Sequence, residues 1–90
     1  MQNATPNFWG FTRNVDDQLR RDFARVATEK ELQAVLAKWR DPVSGTLSRV
    51  MNDPLFLFAQ RGHQRAFLEH MVNRIRLEEK HARDVWRLLA

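Results

Sequence analysis

The stretch His63–Ala90, HQRAFLEHMVNRIRLEEKHARDVWRLLA, has the clearest periodicity in the chain. Apolar residues recur in it at the spacing of one face of an α-helix, and charged residues occupy the opposite face. The apolar stripe comprises Phe67, Leu68, Met71, Val72, Ile75, Ala82, Val85, Trp86 and Leu89. Two glutamates, Glu78 and Glu79, interrupt the stripe for one turn. We therefore predict a long amphipathic C-terminal helix.

The segment before this stretch is apolar on all sides. Leu55–Ala59 could be a buried strand or a buried helix, because periodicity alone does not separate the two. Asp53 and Pro54 precede it, and they suit the N-cap and the first position of a helix. No second strand candidate exists elsewhere, so we predict a helix. Gly62 is expected either to end this helix in a left-handed residue or to kink it.

Two further helices are predicted in the middle of the chain. Thr28-x-x-Glu31 has the form of a capping box ahead of an apolar run at helical spacing. Either one helix kinks at Thr28, or one helix ends near Ala27 and a second begins, and we favour two helices. Asp41-Pro42 ends that helix, since a residue before proline resists helical geometry. Thr46–Met51 is expected to form a short helix with Leu47, Val50 and Met51 inward.

The N-terminal region divides at Asn14. Asn14 and Asp17 resemble a helix start, and Val15, Leu19, Phe23 and Val26 follow at helical spacing. Residues 1–13 contain Pro6 and Gly10, which indicate an irregular segment. We therefore expect an N-terminal aromatic arm (1–13) and a single helical domain (14–90). The fold class is all-α, a compact bundle of four to five unequal helices with a long C-terminal helix.

Composition limits the class of protein. Ninety residues suit one domain, and the absence of cysteine excludes disulfides and thiolate metal sites. The longest apolar run, Leu55–Ala59, is far too short to span a membrane. The first ten residues lack the basic start and apolar stretch of a signal peptide. We therefore expect a cytoplasmic protein with no membrane partner.

No pattern of residues specifies a reaction or a cofactor. His63 and His70 lie seven residues apart. That spacing puts them on one helix face but about 10.5 Å apart, too far to share a metal ion. Glu78-x-x-His81 has the spacing of a di-iron ligand pair, but such a site needs two of these motifs. No serine stands in a nucleophile elbow, and the three glycines do not form a phosphate loop. We expect no enzyme activity, no metal and no cofactor.

Large apolar residues exceed what the core of so small a domain readily buries. The candidate partner-binding residues are Phe8, Trp9, Phe11, Leu55, Phe56 and Leu57. One interpretation is that the arm folds over Leu55–Phe58 and completes the core. The other is that these residues bind a larger protein partner, or a second copy in a homodimer. Our leading hypothesis is a small regulatory or adaptor protein, acting as an inhibitor, of the kind that bacterial or phage genomes often encode.

The net charge of +4 supports a second hypothesis, nucleic-acid binding. The candidate basic faces comprise Arg20, Arg21, Arg25, Arg74, Arg76, Lys80, Arg83 and Arg87. Acidic residues one helical turn away from basic ones argue against it, because such pairs neutralise each other. The expected pairs are Arg65–Glu69, Arg74–Glu78, Lys80–Asp84 and Glu79–Arg83. Nucleic acid is therefore the second choice of partner.

Two segments near the C-terminus carry a family resemblance. Gly62–Leu68, GHQRAFL, and Val85–Leu89, VWRLL, resemble the last helices of the Hha/YmoA family. Members of that family are small helical proteins that modulate nucleoid-associated silencers of transcription. The resemblance covers about a third of the chain. Gly62 stands where the family has an acidic residue, and the spacings here are longer. The resemblance would imply a nucleoid-associated modulator.

Overall fold

The computed structural model describes the backbone of residues 4–89 and the side chains of residues 8–89. Within that range the chain forms five helices and no strand. The helices are α1 (Ala4–Ala24), α2 (Glu29–Arg40), α3 (Thr46–Met51), α4 (Pro54–Leu57) and α5 (Arg61–Leu89). The prediction of an all-α bundle of unequal helices with a long C-terminal helix is confirmed.

Helix α1 runs through most of the segment that was expected to be an irregular arm. The prediction that the helix begins at Asn14 was wrong, since α1 begins at Ala4. Pro6 lies in the first turn, where its missing N–H has no intrahelical partner to lose. Gly10 costs about 1 kcal/mol in a helix interior, a small penalty against burial of an apolar face. Phe8 and Val15 are buried on one stripe, which requires a continuous helix between them.

A capping box separates α1 from α2. The Thr28 hydroxyl accepts a hydrogen bond from the backbone N–H of Glu31 at 3.1 Å. The Glu31 carboxylate in turn accepts from the N–H groups of Thr28 at 3.2 Å and Ala27 at 2.8 Å. These bonds satisfy amide groups that the start of a helix leaves unpaired. The prediction of two helices at Thr28 is confirmed, with α1 ending at Ala24.

The turn between α2 and α3 is built on Asp41. Its carboxylate accepts hydrogen bonds from the N–H groups of Val43 and Ser44, both at 2.8 Å. Those bonds stabilise the charged form and lower the pKa of Asp41. Gly45 packs so closely that a Cβ there would lie 2.7 Å from the backbone nitrogen of Asp41. Helix α3 has the predicted bounds, but Met51, expected inward, is exposed.

Helix α4 is a single turn. Asp53 caps it by accepting a hydrogen bond from the Leu55 N–H at 2.9 Å, and Pro54 is its first residue, as predicted. It ends at Leu57, and Gln64 of α5 donates a hydrogen bond to the Phe56 carbonyl at 2.7 Å. Gly62 lies in the first turn of α5 and has no positive φ. The expectation that Gly62 caps or kinks the preceding helix was therefore wrong.

The core draws on all five helices. Trp39 of α2 is completely buried, and its indole N–H donates a hydrogen bond to Asp22 of α1 at 2.9 Å. Around it pack buried apolar side chains from all five helices. These are Phe8, Val15, Leu19, Phe23, Leu32, Leu36, Val50, Phe56, Phe67, Met71 and Ile75.

Helix α5 is the longest element, and its last turn is exposed at Leu88 and Leu89. Its 29 residues span about 43 Å, and the described molecule measures 54 × 25 × 19 Å. Trp86 is half-buried against the core, whereas Val85 and Leu89 are exposed, contrary to their assignment to the inward stripe. None of the helices across residues 4–89 is long and apolar enough to cross a membrane.

Candidate functional site

The structure divides the six candidate partner-binding residues into two groups. Phe8 and Phe56 are buried, and Phe11 is half-buried. All three surround Phe67 of α5, with ring centroids 6.3–6.4 Å from that ring. Phe8 and Phe56 therefore belong to the core, and Phe11 packs against it.

The other three candidates remain on the surface. Trp9 is 60% exposed, Leu55 42% and Leu57 56%. Phe58 was not among the candidates, yet it is 87% exposed. No signal in the sequence separates it from Phe56, because Leu55–Ala59 is apolar on all sides. Trp9, Leu55, Leu57 and Phe58 together are called the aromatic surface below.

Two grooves meet at Trp9. The first, the α1–α5 groove, has a volume of about 450 Å³, and the buried rings of Phe8 and Phe67 contribute to its lining. Its other lining residues are Trp9, Thr12, Arg13, Asp16, His63, Ala66 and His70. The second, the α4 groove, has a volume of about 310 Å³. It is lined by Phe8, Trp9, Pro54, Leu55, Phe58, Ala59, Gln60 and His63.

Two histidines of α5 contact α1 along the first groove. The His63 ring stacks on Phe8 with centroids 6.0 Å apart, and His70 Nε2 lies 3.3 Å from a carboxylate oxygen of Asp16. From the first contact to the second, the residue numbers increase along both helices, so α1 and α5 run parallel here. Within the described part of the chain, no three His, Cys, Asp or Glu side chains are grouped so that they could hold a metal ion.

The basic face of α5 is largely neutralised by acidic neighbours. Arg83 donates to Glu29 of α2 at 2.7 Å and to Glu79 at 2.6 Å. The hydrogen bond from Arg83 lowers the pKa of Glu29 to about 2. The remaining pairs on this face are Arg74–Glu78 at 3.3 Å, Lys80–Asp84 at 2.7 Å and Arg87–Asp84 at 3.5 Å. Three of the four predicted pairs form. The fourth, Arg65–Glu69, is not an ion pair within 4 Å in the described residues.

The basic side chains around the C-terminal end of α1 are paired with fewer carboxylates. Arg20 pairs with Asp17 at 3.3 Å, but Arg21 and Arg25 are exposed and pair with no carboxylate of the described residues. Most carboxylates elsewhere are occupied by ion pairs or, at Glu31, Asp41 and Asp53, by backbone N–H groups, and Glu69 is the exception among the described residues. The surplus positive charge therefore lies on basic side chains without a carboxylate partner in the described structure. These are Arg13, Arg21, Arg25, Lys30, Arg49, Arg61, Arg65 and Arg76.

Comparison with protein-family models, with curated proteins and with solved structures found no match. The resemblance to the Hha/YmoA family therefore has no support beyond the two segments that carry it. Functional assignment depends on the surface itself.

Proposed function

We propose that this chain is a small non-enzymatic regulatory or adaptor protein that binds a larger protein partner through the aromatic surface. The observation that carries the proposal is the exposure of Trp9, Leu55 and Phe58 along the two grooves, with the exposed Leu57 adjacent to Phe58 in sequence. Clustered apolar side chains of this size on a surface typically mark an interaction site. Tryptophan is also among the residues that contribute most to binding at protein interfaces.

The exposed side chains of the aromatic surface are not needed to hold the fold together. Phe56 anchors α4 in the core, so α4 stays attached whether or not Phe58 is covered. Burying a phenylalanine side chain contributes about 1.5–3 kcal/mol, which the free protein does not obtain at Phe58. A partner that covers the aromatic surface would gain that contribution, and this favours binding.

We propose inhibition as the effect on the partner. A domain 54 Å long is large enough to cover an active site or an interface of the protein on which it docks. Cytoplasmic location and a bacterial or phage origin belong to the same proposal and stay predictions.

Site-specific photo-cross-linking in the source cell tests the proposal. A photoreactive phenylalanine analogue at position 58 should cross-link to one predominant protein. The matched control is the same analogue at Val43, which is 85% exposed but lies on the turn between α2 and α3, outside both grooves. Cross-linking that is absent at position 58, or equal at both positions, would contradict the proposal.

A second proposal, nucleic-acid binding, is favoured by two unpaired arginines, Arg21 in the last turn of α1 and Arg25 just beyond its end. Both side chains are exposed and can approach phosphates. Gel shifts with duplex DNA and RNA at two salt concentrations test it. Binding that weakens with salt, and that is lost when both arginines are replaced by glutamate, would support this function. No shift even at low salt would eliminate it.

A further inference from the structure

We propose that the partner binds through an acidic amphipathic helix that lies in the α1–α5 groove. This inference rests on the proposed function, and it adds the chemistry of the segment that is recognised. The apolar side chains of that helix would contact Phe8, Trp9 and Phe67. Its carboxylates would lie near Arg13 at the edge of the groove.

The dimensions of the groove favour a helix. Its lining extends from Phe8 to Asp16 on α1 and from His63 to His70 on α5. The two spans correspond to about 12 Å and about 10.5 Å along a helix axis, or roughly two turns. Two parallel helices with a groove between them can hold a third helix whose apolar residues recur at i, i+4 and i+7. Across residues 4–89 there is no strand edge to which an extended peptide could add.

The unpaired Arg13 and the net charge of +4 on the whole chain favour an acidic segment. Arg13 lines the groove, is exposed, and has no carboxylate within ion-pair distance in the described residues. Asp16 is the one acidic residue lining either of the two grooves, and it lies 3.3 Å from His70. A basic segment would meet Arg13 and the surplus positive charge of the molecule, whereas an acidic one would be attracted to both.

The same charge argues against a second copy of this chain as the occupant. Each copy carries a net charge of +4. A symmetric dimer through the groove would bring both positive surpluses together, and like charges placed together at an interface weaken association. An acidic partner removes that repulsion and adds attraction.

A displayed library of random 16-residue peptides, with acidic and basic residues at equal frequency, tests the inference. Selection on the wild-type protein should enrich peptides that are net acidic and carry apolar residues at i, i+4 and i+7. The same selection on a Trp9→Ala variant should lose that enrichment, because Trp9 lines the groove. An enriched peptide should bind the Arg13→Glu variant about fivefold to tenfold more weakly than wild type.

Arg76→Glu is the matched control, because Arg76 is also exposed and unpaired in the described structure but lies outside the groove. Equal losses in the two glutamate variants would overturn the inference, since only the overall charge would then matter. Enrichment of neutral or basic peptides, or no enrichment that depends on Trp9, would overturn it as well. So would a wild-type dimer in sedimentation analysis that the Trp9→Ala variant dissociates. Photo-cross-linking at position 58 tests the proposed function independently of the peptide selection. Failure of the acidic-helix inference can therefore be told apart from failure of the proposed function.

Discussion

Asp22 shows how one polar side chain can link two helices. It lies near the C-terminal end of α1, where a negative charge opposes the helix dipole. Its carboxylate accepts hydrogen bonds from the Trp39 indole at 2.9 Å and from Lys38 at 2.8 Å. The contacts to α2 therefore outweigh the unfavourable position in α1.

Replacing Asp22 with alanine should destabilise the protein by about 1–2 kcal/mol, because the buried Trp39 N–H would lose its acceptor. Urea denaturation followed by circular dichroism measures the change. Asp17→Ala is the matched control, since Asp17 makes only an exposed pair with Arg20 and should cost under about 0.5 kcal/mol. Equal losses would refute the role assigned to Asp22.

Because of Glu29, the free energy of unfolding should depend on pH. Its pKa is lowered from 4.5 to about 2 by hydrogen bonds from Arg83 and Gln33. A carboxyl group with a lowered folded-state pKa contributes stability above its unfolded-state pKa and loses that contribution as it becomes protonated. The contribution of Glu29 should therefore be complete above pH 4.5 and decline as the pH falls toward about 2. Its size is limited by the exposure of both partners.

The melting temperatures of wild type and Glu29→Gln across this pH range test that expectation. Wild type should be the more stable at pH 7, and the difference should shrink as the pH falls from about 4.5 to about 2. A difference that stays constant with pH would show that the charge of Glu29 is not involved.

The single turn of α4 places neighbouring aromatics in opposite environments. Phe56→Ala should cost about 3–5 kcal/mol, because Phe56 is buried against Phe67. Phe58→Ala should change the free energy of unfolding by less than about 0.5 kcal/mol, since that ring is exposed. Guanidinium denaturation of both variants measures this contrast. Similar losses at the two positions would mean that Phe58 is buried in solution.

Alanine substitutions at Gly45 and Gly62 test the positions at which α3 and α5 begin. Gly45→Ala should destabilise by about 1–3 kcal/mol, because the added Cβ would collide with the backbone of Asp41. Gly62→Ala meets open space in the first turn of α5 and should stabilise slightly, by less than about 1 kcal/mol. Thermal melts of both variants provide the measurement. Destabilisation by Gly62→Ala would instead indicate a left-handed residue at the end of a helix.

The elements that the sequence predicts well are those with local capping chemistry. Thr28 with Glu31, and Asp53 with Pro54, specify helix starts through bonds within a few residues. Helix α1 was misjudged because Pro6 and Gly10 signal irregular structure locally, whereas burial of Phe8 against α5 is a tertiary effect. Gly62 was misjudged for a related reason, because a glycine is compatible with both a helix end and a first turn.

At the scale of the whole molecule, the candidate site could be predicted only in part. Residue type identified a surplus of aromatics, but it did not separate the buried Phe8 and Phe56 from the exposed Trp9 and Phe58. That separation depends on how α1, α4 and α5 pack, which involves contacts distant in sequence. The ion pairs could also be predicted only in part, because the pair between Arg83 and Glu29 joins residues 54 positions apart in the sequence.

The central claim is that the aromatic surface binds a protein. Its most direct test is the dissociation constant of the protein cross-linked at position 58, measured with purified wild type, Trp9→Ala/Phe58→Ala and Val43→Ala. We expect the double variant, still helical by circular dichroism, to bind at least about 30-fold more weakly, and Val43→Ala to match wild type. Equal dissociation constants for wild type and the double variant would contradict the account.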